Sequence, residues 1–182
     1  MKLKKIFFLT FLFLTAIFIW NENSNLITKA STKPSSIGTF PKAMRGHWYA
    51  SNGKDKYYIG KKIFEYKRGK YSYKAYLHNL NQQKQYPIGS DSSSKKSPTV
   101  NWLYSYKSKV KVHGIKWIDV LVWNAGAGDG TFYNFSKHNG HQVLSTAYGA
   151  GLWGTGHYYR SFELAKQFMH KRYPHYDYTH QT

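Results

Sequence analysis

Cysteine is absent from this chain of 182 residues. Its absence excludes disulfide bonds, thiolate metal ligands and a thiol nucleophile, and it removes the attachment residue of a bacterial lipoprotein. A chain of this length can build one sizeable core. Packing alone must therefore hold the fold together.

Acidic residues are scarce. Asp and Glu number 8 against 27 Lys and Arg, and the formal net charge is +19. Acid–base catalysis by paired carboxylates needs two acids in one cleft, which so few acids disfavour. Gly-x-Ser-x-Gly and His-Glu-x-x-His are also missing, so nucleophilic and zinc-hydrolase routes lack their motifs. The charge favours polyanionic partners such as wall polymers, anionic lipid headgroups, nucleic acid or acidic glycans.

The one long apolar run is IFFLTFLFLTAIFIW at residues 6–20, which follows the cationic start MKLKK. A helix needs about twenty apolar residues to span a bilayer, so this run is typical of a secretion signal. We predict a signal peptide over 1–30, cleaved after Ala30, and hence a secreted or cell-surface protein. An uncleaved N-terminal anchor is the alternative. Residues 31–44 are interpreted as a polar leader.

Period-two alternation dominates residues 45–182, which we interpret as one domain. In KYSYKAYL (70–77) one face carries Tyr71, Tyr73, Ala75 and Leu77, and the other carries Ser72, Lys74 and Tyr76. Asn139-Gly140 is a strong hairpin signal, and GSDSSSKKSP (89–98) is a polar loop. Eight or nine short strands followed by one helix predict an all-β fold, a single antiparallel β-barrel with a C-terminal helix.

The predicted helix runs from about 161 to 172 and ends before Pro174. Ser161 can cap its N-terminus, and Glu163 suits the positive end of the helix dipole. The expected buried stripe is Phe162, Ala165, Phe168 and Met169. The residues beyond are interpreted as a basic, aromatic tail, with solvated histidines at His170, His175 and His180.

Gly46-His47-Trp48-Tyr49 resembles the Gly-x-Trp element that begins the first strand of lipocalin-like (calycin) barrels. In that family the Trp closes one barrel end beneath an Arg from near the last strand. The resemblance implies that Trp48 is the plug and Arg160 its cover, with Gly46 allowing close backbone approach. The Thr-Asp-Tyr element of lipocalins has no counterpart in the middle of this chain.

The longer entry PKAMRGHWY, from Pro41 to Tyr49, resembles that of a group of small exported proteins of lactic-acid-type Gram-positive bacteria. Those proteins share a signal, a polar leader and Lys- and Tyr-rich strands. This resemblance implies export and a barrel, and it implies no reaction.

Two Gly-rich segments, NAGAGDG (124–130) and GAGLWG (149–154), are interpreted as loops that could flank a barrel mouth. The second matches Gly-x-Gly-x-x-Gly. A dinucleotide site, however, needs a helix starting in that turn within a βαβ unit. The surrounding pattern is antiparallel, so no cofactor is predicted.

His138 and His141 flank the predicted hairpin turn and face each other, about 5 Å apart at Cβ. They are a weak candidate pair for a metal ion, which needs further ligands that no residue clearly supplies. We therefore interpret them as an exposed hairpin tip and predict no metal.

Asp119 shares a strand face with Trp117 and Trp123, and this face is a candidate for the barrel lumen or mouth. A carboxylate among indoles has its charged form disfavoured, which often marks functional sites. Alternatively, Asp119 hydrogen-bonds a tyrosine or pairs with a lysine at an exposed edge.

Residues 54–76 interleave basic and aromatic side chains, a pattern that can grip nucleic acid. Alternation separates the two kinds onto opposite faces, so nucleic acid is disfavoured and an anionic envelope surface is preferred. The predicted ligand-binding residues are Lys61, Lys62, Lys67, Lys70 and Lys74. We thus expect an exported, cationic, non-catalytic binding protein of the cell envelope. A lipocalin-type carrier of a small apolar ligand is the alternative, and an enzyme ranks third.

Overall fold

The computed structural model describes residues 35–89, 97–107, 111, 114–125, 128 and 130–179. All of them belong to the unit Pro34–Thr182. The other unit, Met1–Lys33, contains the predicted signal peptide and lies outside the described residues. No helix in the described ranges has the length and apolar character needed to cross a bilayer.

Nine strands close into one barrel in chain order, and the first strand pairs with the last. The strands are β1 (Gly46–Ala50), β2 (Asp55–Ile59), β3 (Ile63–Arg68), β4 (Tyr71–Leu77), β5 (Trp102–Lys107), β6 (Ile118–Val122), β7 (Thr131–His138), β8 (His141–Tyr148) and β9 (Trp153–Tyr159). This confirms the predicted all-β barrel.

One neighbouring pair, β4 with β5, is parallel, so the expectation of a wholly antiparallel barrel is wrong at this point. An odd number of strands placed in chain order cannot close with every pair antiparallel. A parallel pair needs a long return connection. The connection is 78–101, which includes the predicted polar loop and a 3-10 helix at Leu80–Lys84.

Alternate strand residues point inward and form the main core. Trp48, Ile59 and Leu77 are at most 1% exposed within it. Residues before β1 close one end: Phe40 and Met44 are each 1% exposed, and the 3-10 helix Lys42–Met44 carries Met44 inward. We call this the closed end. The other, the mouth, lies where the β1–β2, β3–β4 and β8–β9 turns meet.

The C-terminal helix, α1 (Phe162–Gln167), is shorter than predicted. Ser161 caps it as expected, since its Oγ accepts a hydrogen bond from the Leu164 amide at 3.3 Å. The predicted stripe is wrong at two positions, because Phe162 is 42% and Met169 50% exposed. Six residues make fewer than two turns, and the helix packs on the barrel through Ala165 and its neighbours.

The C-terminal segment 171–179 lies along β9 rather than in solvent. The amides of Gly154 and Thr155 donate to the carbonyls of Thr179 and Asp177, at 2.8 and 2.9 Å. Tyr173 is 6% exposed. His170 and His175 are exposed as predicted, and His180 lies outside the described residues.

Candidate functional site

Trp48 and Arg160 form the closed end of the barrel. Trp48 is fully buried, and its Nε1 donates to the Met44 carbonyl at 2.7 Å. The Arg160 guanidinium carbon lies 3.7 Å from the centre of the indole ring. This is the arrangement of Trp48 and Arg160 that was expected from the Gly-x-Trp entry.

Arg160 also ties this end to the chain that precedes β1. Its Nη1 and Nη2 donate to the carbonyls of Arg45 and Ala43 at 2.8 and 2.9 Å, and its Nε donates to Gln142 Oε1 at 2.7 Å. Burial lowers the pKa of Arg160, but the guanidinium stays charged. Arg160 is thus a structural residue whose hydrogen-bonding groups are engaged within the protein.

Tyrosines fill the half of the barrel towards the mouth. The ring of Tyr57 lies 4.7 Å from that of Tyr158, 5.0 Å from Tyr66 and 5.9 Å from Tyr133. Burial raises the pKa of Tyr57, Tyr133 and Tyr158, so all three stay neutral hydroxyls. The tightly spaced rings disfavour the carrier alternative, which needs a hollow apolar lumen.

Asp55 lies at the mouth among polar partners. It accepts a hydrogen bond from Asn52 Nδ2 at 2.7 Å and one from the Tyr66 hydroxyl at 3.3 Å. Its Oδ1 is 3.5 Å from Arg68 Nε. These contacts offset the charge of Asp55, so the carboxylate does not oppose an anionic ligand at the rim.

The five predicted binding lysines do not form one patch. Lys61 and Lys62 lie in the β2–β3 turn, whereas Lys70 lies in the β3–β4 turn at the opposite end of β3. Six strand residues span about 20 Å, well beyond the Debye length of about 8 Å. Lys74 is 2.9 Å from Glu65, and this contact raises the pKa of Lys74 and offsets its charge.

A different cluster forms around Lys67. Lys67 lies directly opposite Lys56 in the β2–β3 pairing, and both side chains are exposed on the outer face. Lys54 and Lys70 lie in the adjoining turns, where the Gly69 amide donates to the Lys54 carbonyl at 3.4 Å. We call Lys54, Lys56, Lys67 and Lys70 the rim cluster. The sequence analysis did not predict Lys54 and Lys56 as binding residues. Their positions in and just after the β1–β2 turn are the signal that could have indicated them.

Two lysines of the rim cluster border a hollow of about 170 Å³ on the outer face of β1–β3. Lys56, Lys67, His47 and Tyr58 are among its lining residues. The His47 ring lies 4.9 Å from that of Tyr58. Glu65 also lines the hollow, and its carboxylate is paired with Lys74 at 2.9 Å. With that charge offset, two ammonium groups and a ring nitrogen can accept an anionic group of phosphate size.

Trp117 and Trp123 lie on the outer face of the barrel rather than in its lumen, because Val120 between them points into the core. Trp123 donates from Nε1 to the Tyr86 carbonyl at 3.0 Å, beneath the 78–101 connection. Trp117 packs on Ala147 and Leu152. Asp119 also faces outward, and its charge raises the pKa of Tyr106, although burial is the larger cause.

His138 and His141 pair across the hairpin as expected, but their rings have other partners. The His138 ring stacks on Tyr173 at 3.8 Å, and the His141 ring lies 5.2 Å from Phe168. Within the described ranges, no group of three or more His, Cys, Asp or Glu side chains could hold a metal ion.

The glycines of GAGLWG make room for Trp153 instead of a nucleotide. A Cβ on Gly149 would lie 2.8 Å from the Trp153 ring, and one on Gly151 would lie 2.2 Å from it. The indole therefore rests on the β8–β9 turn and still has 42% of its surface exposed. The sequence signal for this arrangement is the run of small residues at 149–151, which lies two to four positions before Trp153.

Comparison of the chain with protein-family models, with curated proteins and with solved structures finds no match. The candidate sites must therefore be judged on their own geometry.

Proposed function

We propose that this is an exported, cationic, non-catalytic binding protein that holds phosphate-bearing polymers of the cell envelope on the outer face of β1–β3. The observation that carries the proposal is the direct cross-strand pairing of Lys56 with Lys67. Like charges placed opposite each other destabilise a sheet. A polyanion bound across both would remove that repulsion.

The surroundings of the pair support this proposal. The described residues contain two ion pairs, Arg68–Asp55 and Lys74–Glu65, and neither involves the rim cluster. Cations within one Debye length act collectively on a polyanion. Export rests on the signal peptide expected over 1–30, whereas the preference for a polyanion rests on the net charge of +19.

The test is retention on poly(glycerol phosphate) and on phosphatidylglycerol vesicles, from low salt to about 0.5 M sodium chloride. We expect the double substitution Lys56→Gln/Lys67→Gln to lower retention and to weaken its salt dependence. Lys61→Gln/Lys62→Gln removes the same charge from the other turn and serves as the matched control. Retention that responds equally to both pairs, or that ignores salt, would contradict the proposal.

A further inference from the structure

Tyr148 and Trp153 form an exposed aromatic pair at the mouth, and we propose that they are a stacking platform for the sugar rings of an uncharged polysaccharide. Tyr148 is 49% and Trp153 42% exposed. They are cross-strand partners in β8 and β9, so their side chains share a face. The space beside them, about 410 Å³, is lined by these two residues with Gly149 and Gly154.

The platform is held in place before any ligand arrives. Gly149 and Gly151 leave no room for a Cβ beneath the Trp153 indole, so one face of the ring rests on the turn. Leu152 anchors that turn, since it is 4% exposed and packs with Trp117 and Ala147. A ring that is already fixed loses little conformational entropy on binding.

The charge pattern points to a neutral ligand. Residues 138–159 contain no Lys, Arg, Asp or Glu, although the chain has 27 basic and 8 acidic residues. A nucleic acid strand also stacks on aromatic rings, but it needs cations along its phosphates, and the residues lining the platform supply none. A pyranose ring has an apolar C–H face for stacking and a rim of hydroxyls for hydrogen bonds.

A neighbouring crevice supplies the polar partners. Its volume is about 680 Å³, within the usual range for ligand sites of about 300–1,000 Å³. It opens where β1 ends at Ala50 while β9 continues, and its wall includes Tyr148, Asn52, Asp55 and Tyr178. Lys171 and Arg172 line it as well, with the Arg172 guanidinium 5.0 Å from the centre of the Tyr178 ring, so the crevice carries cations that the platform itself lacks. Amide and hydroxyl groups can donate hydrogen bonds to sugar hydroxyls or accept them, and a carboxylate accepts them.

This inference does not depend on the rim cluster, and the two proposals can fail separately. Sugar stacking should ignore salt, whereas polyanion capture through Lys56 and Lys67 should not. The rim-cluster double substitution therefore leaves sugar binding intact, and loss of Trp153 leaves retention on poly(glycerol phosphate) intact.

The experiment measures the binding of three hexasaccharides by affinity electrophoresis. Acrylamide quenching of tryptophan fluorescence then reports whether a bound sugar shields Trp153. The three hexasaccharides are β-1,4-linked glucose, β-1,4-linked N-acetylglucosamine and α-1,6-linked glucose; oligo(dT) is run beside them. We expect at least one hexasaccharide to bind and to shield Trp153. Trp153→Ala should weaken that binding by about tenfold or more, whereas Trp153→Phe keeps most of it because the ring face remains.

Two further variants separate the platform from general effects on folding. Gly151→Ala keeps the indole but displaces it, so it should weaken sugar binding at an unchanged melting temperature. Phe162→Ala removes an aromatic of equal exposure elsewhere and should have no effect on sugar binding. Binding of none of the three sugars, equal binding by Trp153→Ala and the parent protein, or Trp153-dependent binding of oligo(dT) alone would overturn the proposal. Self-association that depends on Trp153 would also overturn it.

Discussion

The guanidinium of Arg160 covers the indole of Trp48 at 3.7 Å and thereby joins the end of the last strand to the first. The same side chain donates to the carbonyls of Ala43 and Arg45, just before β1. Closure of this end thus depends on one cation that holds a buried ring and two backbone carbonyls together. Removing either partner leaves the other with unsatisfied contacts.

We expect Trp48→Ala to destabilise the protein by about 3–5 kcal/mol, since it removes a large, fully buried ring. Arg160→Ala should cost less, because Arg160 is only half-buried. The measurement is a double-mutant cycle by chemical denaturation, with a coupling free energy of about 0.5 kcal/mol or more expected for residues in contact. Strictly additive effects would show that the two side chains do not act together.

Gly46 is the third member of the closed end. Its φ is +115°, and a Cβ there would lie 2.6 Å from Arg160 Nη1. Gly46→Ala should therefore lower the free energy of unfolding by about 1–3 kcal/mol, from backbone strain together with displacement of the guanidinium. Gly69→Ala is the control, because its φ is +58° with nothing within 4 Å of the added Cβ. Equal losses for both would mean that contact with Arg160 contributes nothing.

Much of the barrel could be predicted from local pattern. Alternation placed Tyr73, Ala75 and Leu77 on one face, and the entry motif pointed to Trp48 and Arg160. The parallel pair β4–β5 could not be predicted, because it depends on an odd strand count around the whole barrel. Local pattern also could not show that Trp123 is buried on the outer face, because this burial depends on cover by the distant 78–101 connection.

The candidate sites were harder to predict because they depend on pairing. Charge density alone indicated Lys61 and Lys62, but the length of β3 separates them from Lys67. The opposition of Lys56 and Lys67 becomes visible only from the β2–β3 register. The role of Trp153 could not be predicted either, because the glycines around it match a phosphate-binding motif. In the structure they contact the indole ring instead.

The C-terminal segment should contribute substantially to stability through Tyr173. Its ring stacks on His138 at 3.8 Å, and its hydroxyl is 3.1 Å from that of Tyr159. We expect Tyr173→Ala to cost about 3 kcal/mol in chemical denaturation, whereas His170→Ala at an exposed position should be neutral. Hydrogen exchange at the amides of Gly154 and Thr155 should quicken, because the segment covers them. Unchanged exchange would mean that the segment is held without Tyr173.

His157 connects the same segment to the barrel. Its Nδ1 is 2.9 Å from Ser145 Oγ, and its Nε2 is 2.8 Å from the Tyr178 hydroxyl. The rings of Tyr173 and Tyr176 lie 4.9 and 5.1 Å away. Burial lowers the pKa of His157 to about 4, and the nearby charge of His138 adds to the effect.

Acid should therefore weaken the fold through His157. In the unfolded chain the pKa is about 6.5, so between that pH and about 4 the unfolded state binds more protons. The contribution of His157 to the free energy of unfolding is complete above a pH of about 6.5. It declines as the pH falls, by about 3 kcal/mol in all. Burial lowers the pKa of His138 as well, so it acts in the same direction.

The measurement is the free energy of unfolding from pH 7.5 to 4 for the parent protein and for His157→Gln, which does not titrate. Carboxylates contribute to both curves, so the difference between the slopes isolates His157. We expect a shallower decline in the variant, and a further reduction when His138→Gln is added, because burial lowers the pKa of His138 as well. Parallel curves would mean that His157 is no more buried in the folded chain than in the unfolded one.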